Sequence, residues 1–291
     1  MERKRILAII LCLTMVISIA GCSNTTNVQS KNQSQIVNVK NHKIKIKAKD
    51  WSEDGKSLVD VTYNGKYTGK MKKKKPFGKG KFVSKNDDNV KWTYIGEFKN
   101  GTFNGYGSTT WEKNKYVKEE GKYSDGAFTP TKVEHLQYEN SYYENSKKSG
   151  YHSFYMSEKG LNFFKNHQNF FPIDMNNVPQ DYESNIAGQF DYPQASKNIS
   201  TFYDKLYRLS NLSVVQNSEY SEFGQTVTEM LCVDLNSDNP YYYTIFYFGS
   251  TPYVEGDTVH QIVFLPQCEG SFEDNQGGNT LCMFVVATEM N

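Results

Sequence analysis

A glycine-aromatic pattern that returns along the chain limits its folding choices more than any other feature. Gly69, Gly96 and Gly121 recur at a period of about 25 residues, the range that marks an array of supersecondary units. The middle copy, "YIGEFKNGTFNGYGSTTW" from Tyr94 to Trp111, is the most complete. Side chains alternate along a strand, so Tyr94, Gly96 and Phe98 share one face. Asn100-Gly101 is the strongest short hairpin signal, because both residues tolerate positive φ in a type I′ turn. On the return strand Phe103, Gly105, Gly107 and Trp111 share a face. Rings lying over side-chain-free glycines offset the poor strand propensity of glycine. A single hairpin is marginal in water, so several must stack into one sheet.

The other copies are less regular. The first runs from Tyr67 and Gly69 through a lysine-rich turn to Gly78 and Gly80. The third runs from Gly121 and Tyr123 to Asp125-Gly126 and stops at Pro130. A phosphate-binding loop is excluded for the middle copy. Such a loop needs a lysine and a helix after its last glycine, and here Gly107 leads into the strand-like Ser108-Thr109-Thr110-Trp111.

Tyrosine-x-glycine-x-phenylalanine, a turn, then glycine-x-glycine resembles the MORN repeat, over about residues 63–131. Two departures stand out: Lys73 and Lys74 replace the turn's Asn/Asp-Gly, and Pro76 replaces the second-strand aromatic. The resemblance implies a stacked-hairpin sheet that serves as a scaffold for membranes, partners or self-association. It implies no catalytic residue within the repeats.

The N-terminus, "MERKRILAIILCLTMVISIAGC", has a basic start, a short apolar run and small residues before Cys22. That layout is a secretory signal; the apolar run is short for a bilayer core of about 30 Å. Its ending resembles the lipobox of bacterial lipoproteins, which implies lipid on the Cys22 thiol and removal of residues 1–21. An ordinary signal peptide is the plainer alternative. Residues 22–43 are largely Ser, Thr, Asn and Gln, a composition expected of a flexible tether.

The domain reading places a repeat sheet at 44–131, a helical connector at 132–180 and a β-barrel at 181–291. Ser157 is the expected N-cap of "EKGLNFFKNH", with Leu161, Phe163 and Phe164 as its apolar stripe, and Pro172 and Pro179 punctuate the stretch after it. Five strand-like segments come next: "KLYRLSNLSVVQNSEY", "QTVTEMLCVDL", "YYYTIFYF", "TVHQIVFL" and "NTLCMFVVAT". Together with the helical entry "FDYPQASKNISTFYDKL" they resemble an OB-fold-like Greek-key barrel. The expected fold class is therefore mainly β: a stacked hairpin sheet, a short helical connector and a small barrel.

Charge is uneven although the formal net charge is only +1. Lysine dominates from Lys40 to Lys85, including Lys72 to Lys75, whereas from Asp181 onward the only basic side chains are Lys197, Lys205 and Arg208. An acidic, exported barrel repels phosphates, which argues against a nucleic-acid partner. Tyr241, Tyr242, Tyr243, Phe246, Tyr247 and Phe248 are expected to pack the barrel on one face and to offer a sugar or peptide platform on the other.

No metal or cofactor site is expected. His42, His135, His152, His167 and His260 are scattered, without a His-Glu-x-x-His. Asp234, Asn236 and Asp238 have the spacing that opens a calcium loop, but Asn239 stands where glycine is needed and Ile245 occupies the closing glutamate position. Cys268 and Cys282 flank a glycine-rich turn and are a candidate disulfide, and Cys232 reads as a buried hydrophobe. No catalytic residues are singled out.

The functional expectation is a lipid-anchored, extracytoplasmic, non-catalytic module that binds a protein or an envelope polymer. Two alternatives stand beside it: an envelope hydrolase using acids of the C-terminal domain, and a lysine-rich repeat face that binds anionic lipid or wall polymer.

Overall fold

The computed structural model describes residues 36–114, 116–146, 155–236, 240–273 and 277–291. The leader, Cys22 and the first part of the expected tether lie outside the described residues. The fold is mainly β, with two sheets and few helices among the described residues.

The first sheet has seven strands in chain order: β1 (Ile36–Trp51), β2 (Leu58–Lys72), β3 (Lys75–Lys85), β4 (Lys91–Lys99), β5 (Thr102–Trp111), β6 (Lys118–Ser124) and β7 (Ala127–Phe128). Every neighbouring pair is antiparallel, as stacked hairpins require. β1 starts at Ile36 rather than at 44, so the end of the expected tether is strand. Residues 36–43 stay almost wholly exposed, and the ladder to β2 holds them, with Val39 opposite Gly69 and His42 opposite Tyr67. Their polar composition correctly signals exposure, but it carries no information about a backbone partner.

The repeat glycines line up across the sheet. Gly69 lies opposite Gly80, Gly80 opposite Gly96, Gly96 opposite Gly107, and Gly107 opposite Gly121. Tyrosine rings cover four of its five glycines, and the Glu134 side chain covers Gly121. A methyl group at Gly69 or Gly80 would overlap the Tyr67 ring, and one at Gly96 or Gly107 would overlap the Tyr94 ring. Both hydroxyls then donate three residues on, Tyr67 to the Lys70 carbonyl at 2.8 Å and Tyr94 to the Glu97 carbonyl at 2.9 Å. Gly105 differs from the expectation that it makes room for a ring: its φ is +98° and the Glu97 carboxylate is its neighbour, so the backbone demands the glycine. Gly78 likewise has no ring over it.

Asn100 and Gly101 have φ of 57° and 99°, the left-handed pair that the turn signal implies. Lys73 and Lys74 adopt the same conformation, at 50° and 61°, without the residues that favour it. Asp125 and Gly126 repeat it between β6 and β7.

The sheet rolls up. Lys49 N donates to Asp125 O at 2.7 Å, Trp51 Nε1 donates to Phe128 O at 2.7 Å, and Gly126 abuts Ala48. Tyr67, Phe82, Trp92, Tyr94, Phe98, Phe103, Tyr123 and Phe128 fill the interior with Ile46. Tyr94 meets Phe103 at 4.4 Å and Phe98 edge-on at 5.3 Å between centroids, contacts of about 0.5–1.5 kcal/mol each beyond area burial.

The second sheet closes into a barrel. Its strands are β9 (Leu206–Glu222), β10 (Gln225–Asp234), β11 (Tyr241–Phe248), β12 (Thr258–Glu273) and β13 (Asn279–Met290), preceded by β8 (Ile186–Gln189). β9 pairs with β12 through its first half and with β10 through its second, which closes the order β9-β10-β11-β13-β12-β9. β11 runs parallel to β13, and β8 adds to β9 in parallel. These five barrel strands are the five segments read from the sequence. The helix α3 (Tyr192–Lys197), capped by Asp191, precedes β9, and Tyr192 stacks on Tyr241 at 4.4 Å.

The connector is more than a spacer. α1 (Lys132–Ser146) opens with a capping box, in which Glu134 Oε2 accepts from Thr131 N at 2.7 Å and Thr131 Oγ1 accepts from Glu134 N at 3.3 Å. α2 (Glu158–Asn166) has Ser157 as its N-cap, accepting from Gly160 N at 3.0 Å. Leu136, Phe163, Phe164 and Phe171 pack on the outside of the barrel against Phe246, Phe248, Val263, Leu265 and Val286. Inside, Leu212, Met230, Tyr243, Ile245, Ile262, Phe264 and Val285 form a separate core. Strands buried on both faces explain the unbroken apolar runs "IFYF" and "CMFVVA".

Two expectations are corrected here. Tyr243 is buried inside the barrel, and Phe246 and Phe248 are buried beneath the connector. The expected split of β11 into one packed and one open aromatic face therefore does not hold; Tyr241, Tyr242 and Tyr247 are the half-exposed rings. Cys268 and Cys282 are free, buried thiols. The register sets Cys268 opposite Phe284 and Cys282 opposite Gly270, which offsets the cysteines by two positions. Diagonal neighbours on one face have Cα atoms about 7–8 Å apart, too far for a disulfide without backbone movement.

Candidate functional site

Because the interior of the repeat sheet is filled by its own rings, only its outer face is open to a ligand. Strand alternation sends Lys43, Lys45 and Lys47 of β1, Lys66 of β2, and Lys79 and Lys81 of β3 to that face, and all six are exposed. Lys43 lies directly opposite Lys66, a like-charge pair that destabilises the sheet unless an anion offsets it. None of the six has an ion pair among the described residues, whereas Lys49 meets Asp60 at 2.8 Å and Lys91 meets Glu112 at 3.2 Å. An open depression lined by Lys43, Lys45, Asn64 and Lys66 lies in this region. Further along the face, Ile95 and Tyr106 are exposed.

A second cluster lies where the repeat sheet, α1 and the barrel meet. The tip of the β9–β10 hairpin, Glu222-Phe223-Gly224-Gln225, engages with every residue. Phe223, at φ 52°, meets Phe128 at 5.0 Å and Tyr138 at 4.9 Å, both edge-on. Gly224 N donates to Gly55 O at 2.9 Å beneath the Trp51 ring. Gln225 Nε2 donates to Pro130 O at 2.7 Å, and its Oε1 is 3.3 Å from His135 Nδ1. His135 Nε2 is 3.0 Å from Glu222 Oε2 and 3.9 Å from Glu139 Oε1. All three of these ionisable residues are buried.

Beside this junction the repeat interior ends in polar groups. Tyr63 donates to Asp50 Oδ2 at 2.5 Å, and Tyr123 donates to Glu119 Oε2 at 3.0 Å. Burial, and then the nearby Asp50 charge, push the Glu119 carboxyl up to about 8. Burial also raises the Tyr63 and Tyr123 hydroxyls well above their usual range.

In the sequence His135 is one of five scattered histidines. Its legible signal is the spacing to Glu139, four residues on in one helix, which places both on one face. Glu222 is distant in sequence and only the fold brings it close. His167 caps α2 instead, its backbone N donating to the Phe163 carbonyl at 3.1 Å. At the candidate calcium loop, Asp234 Oδ1 accepts from Asn236 N at 2.8 Å, a polar turn, while Asp238 lies outside the described residues.

No family model, no curated protein and no solved structure matches the chain. No helix among the described residues is long and apolar enough to cross a membrane.

Proposed function

We propose that this chain is a lipid-anchored, extracytoplasmic, non-catalytic binding module of the MORN-repeat type. Lipid on Cys22 tethers it, and the outer lysine face of the rolled sheet takes a phosphodiester-type polyanion, a lipid headgroup or a wall polymer. The observation that supports this reading is the division of the sheet into a face consumed by its own rings and a face bearing six lysines without ion pairs among the described residues. Each lysine near an anionic surface contributes about 1 kcal/mol. The hydrolase alternative gains no support from the acids that do meet, because Glu139 and Glu222 are enclosed rather than set in a cleft.

Binding of the unlipidated chain to phosphatidylglycerol vesicles, with phosphatidylcholine vesicles as reference, tests the face. Binding to the anionic vesicles that weakens steeply with salt is expected; binding unchanged at high salt contradicts the charge mechanism. The anchor is tested separately by Cys22→Ala, which is expected to move the protein out of the membrane fraction.

A further inference from the structure

The triangle of His135, Glu139 and Glu222 plays no part in binding by the lysine face, and it rests on separate observations. Gln225 fixes its hydrogen-bond sense. The Pro130 carbonyl can only accept, so the Gln225 amide nitrogen must face it, and Oε1 must face His135 Nδ1. Nδ1 therefore carries a hydrogen, and Nε2 is the atom aimed at both carboxylates, at 3.0 and 3.9 Å. The three ligand atoms lie within 4.8 Å of one another. Two ligands held at about 2.0–2.2 Å from a tetrahedral zinc ion are about 3.3 Å apart, between those two distances.

We propose that His135 Nε2, Glu139 and Glu222 bind a divalent cation of the zinc type, which clamps α1 to the tip of the β9–β10 hairpin. An imidazole with two carboxylates suits such an ion better than magnesium or calcium, which take oxygen ligands in larger shells. Its double positive charge balances the two carboxylates. Gln225 supplies what ligating histidines almost always have, an acceptor on the other ring nitrogen that holds the ring in place. Phe223, Phe246 and Phe248 surround the imidazole at 5.4, 6.2 and 5.6 Å between centroids, enclosing the ion in an apolar shell.

The full chain, unfolded with chelator and refolded with or without zinc ions, tests this. One equivalent of zinc retained through gel filtration is expected, with a higher unfolding temperature. His135→Gln and Glu222→Gln are expected to lose the bound zinc and that rise, and Gln225→Ala to weaken affinity by about 10–100-fold with all three ligands kept. Should the ligand variants not fold, the cobalt-substituted wild-type chain decides. Visible d–d bands without sulfur-to-metal charge transfer support the site, whereas charge transfer assigns the ion to thiols and overturns it. A wild-type chain that refolds without taking up zinc overturns it too, leaving the triangle as an ion-paired histidine.

Discussion

Phe223, at the tip of the barrel's β9–β10 hairpin, meets Phe128 of the last repeat strand edge-on with ring centroids 5.0 Å apart. The contact ties a barrel loop to the end of the repeat core, and it holds a bulky residue at φ 52°, a conformation L-residues avoid. Packing must supply what the backbone loses. Phe223→Ala is expected to destabilise the chain by about 2 kcal/mol, the value of burying such a ring. Denaturant unfolding followed by probes in each half checks it: the variant should split into separate transitions more readily than the parent.

Gly107 has an ordinary extended backbone, so alanine there tests the covering ring alone. The methyl group would fall in the Tyr94 ring, and overpacking of this kind costs about 1–3 kcal/mol. Gly107→Ala should show that loss in urea melts. An unchanged midpoint would mean that the ring does not need the glycine ladder.

The turn Lys73-Lys74 holds two ordinary residues in left-handed geometry. Replacing them by Asn and Gly gives the turn the residues its geometry favours, and should stabilise the chain by about 1–2 kcal/mol. The same melts read the gain.

Glu119 gives a pH dependence whose sign is fixed. Its folded carboxyl is raised from 4.5 to about 8 by burial and Asp50, so the folded state holds a proton that the unfolded chain releases. The stabilisation is fully present below pH 4.5 and is lost as pH rises through 8. Stability should fall across that window with a slope of at most about 1.4 kcal/mol per pH unit from this group. Glu119→Gln should flatten the profile.

Local pattern carried much of the fold. The Tyr-x-Gly spacing and Asn100-Gly101 announce the hairpins, and Ser157 marks its helix, because these features act over a few residues. The five barrel strands are legible for the same reason. The rolling of the sheet is not, since it depends on Lys49 meeting Asp125 and Trp51 meeting Phe128, contacts remote in sequence. The lysine run announced a basic face. Which lysines share it depends on register, with the bulge between Val39 and His42 moving the inward positions of β1 from odd to even numbers. The junction was illegible beyond His135 and Glu139, because Glu222 and Gln225 arrive from the β9–β10 hairpin, remote in sequence.

The central claim is that the outer lysines of the repeat sheet, and not basic residues at large, hold the polyanion. The direct measurement is the affinity for phosphatidylglycerol vesicles of Lys45→Glu/Lys66→Glu/Lys81→Glu beside that of Lys165→Glu/Lys197→Glu/Lys205→Glu, which makes the same charge change on exposed lysines of the connector and barrel domain. At about 1 kcal/mol for each lysine, the first variant should lose about 100-fold or more and the second should stay near the parent. Equal losses in both, or none in the first, would contradict the claim.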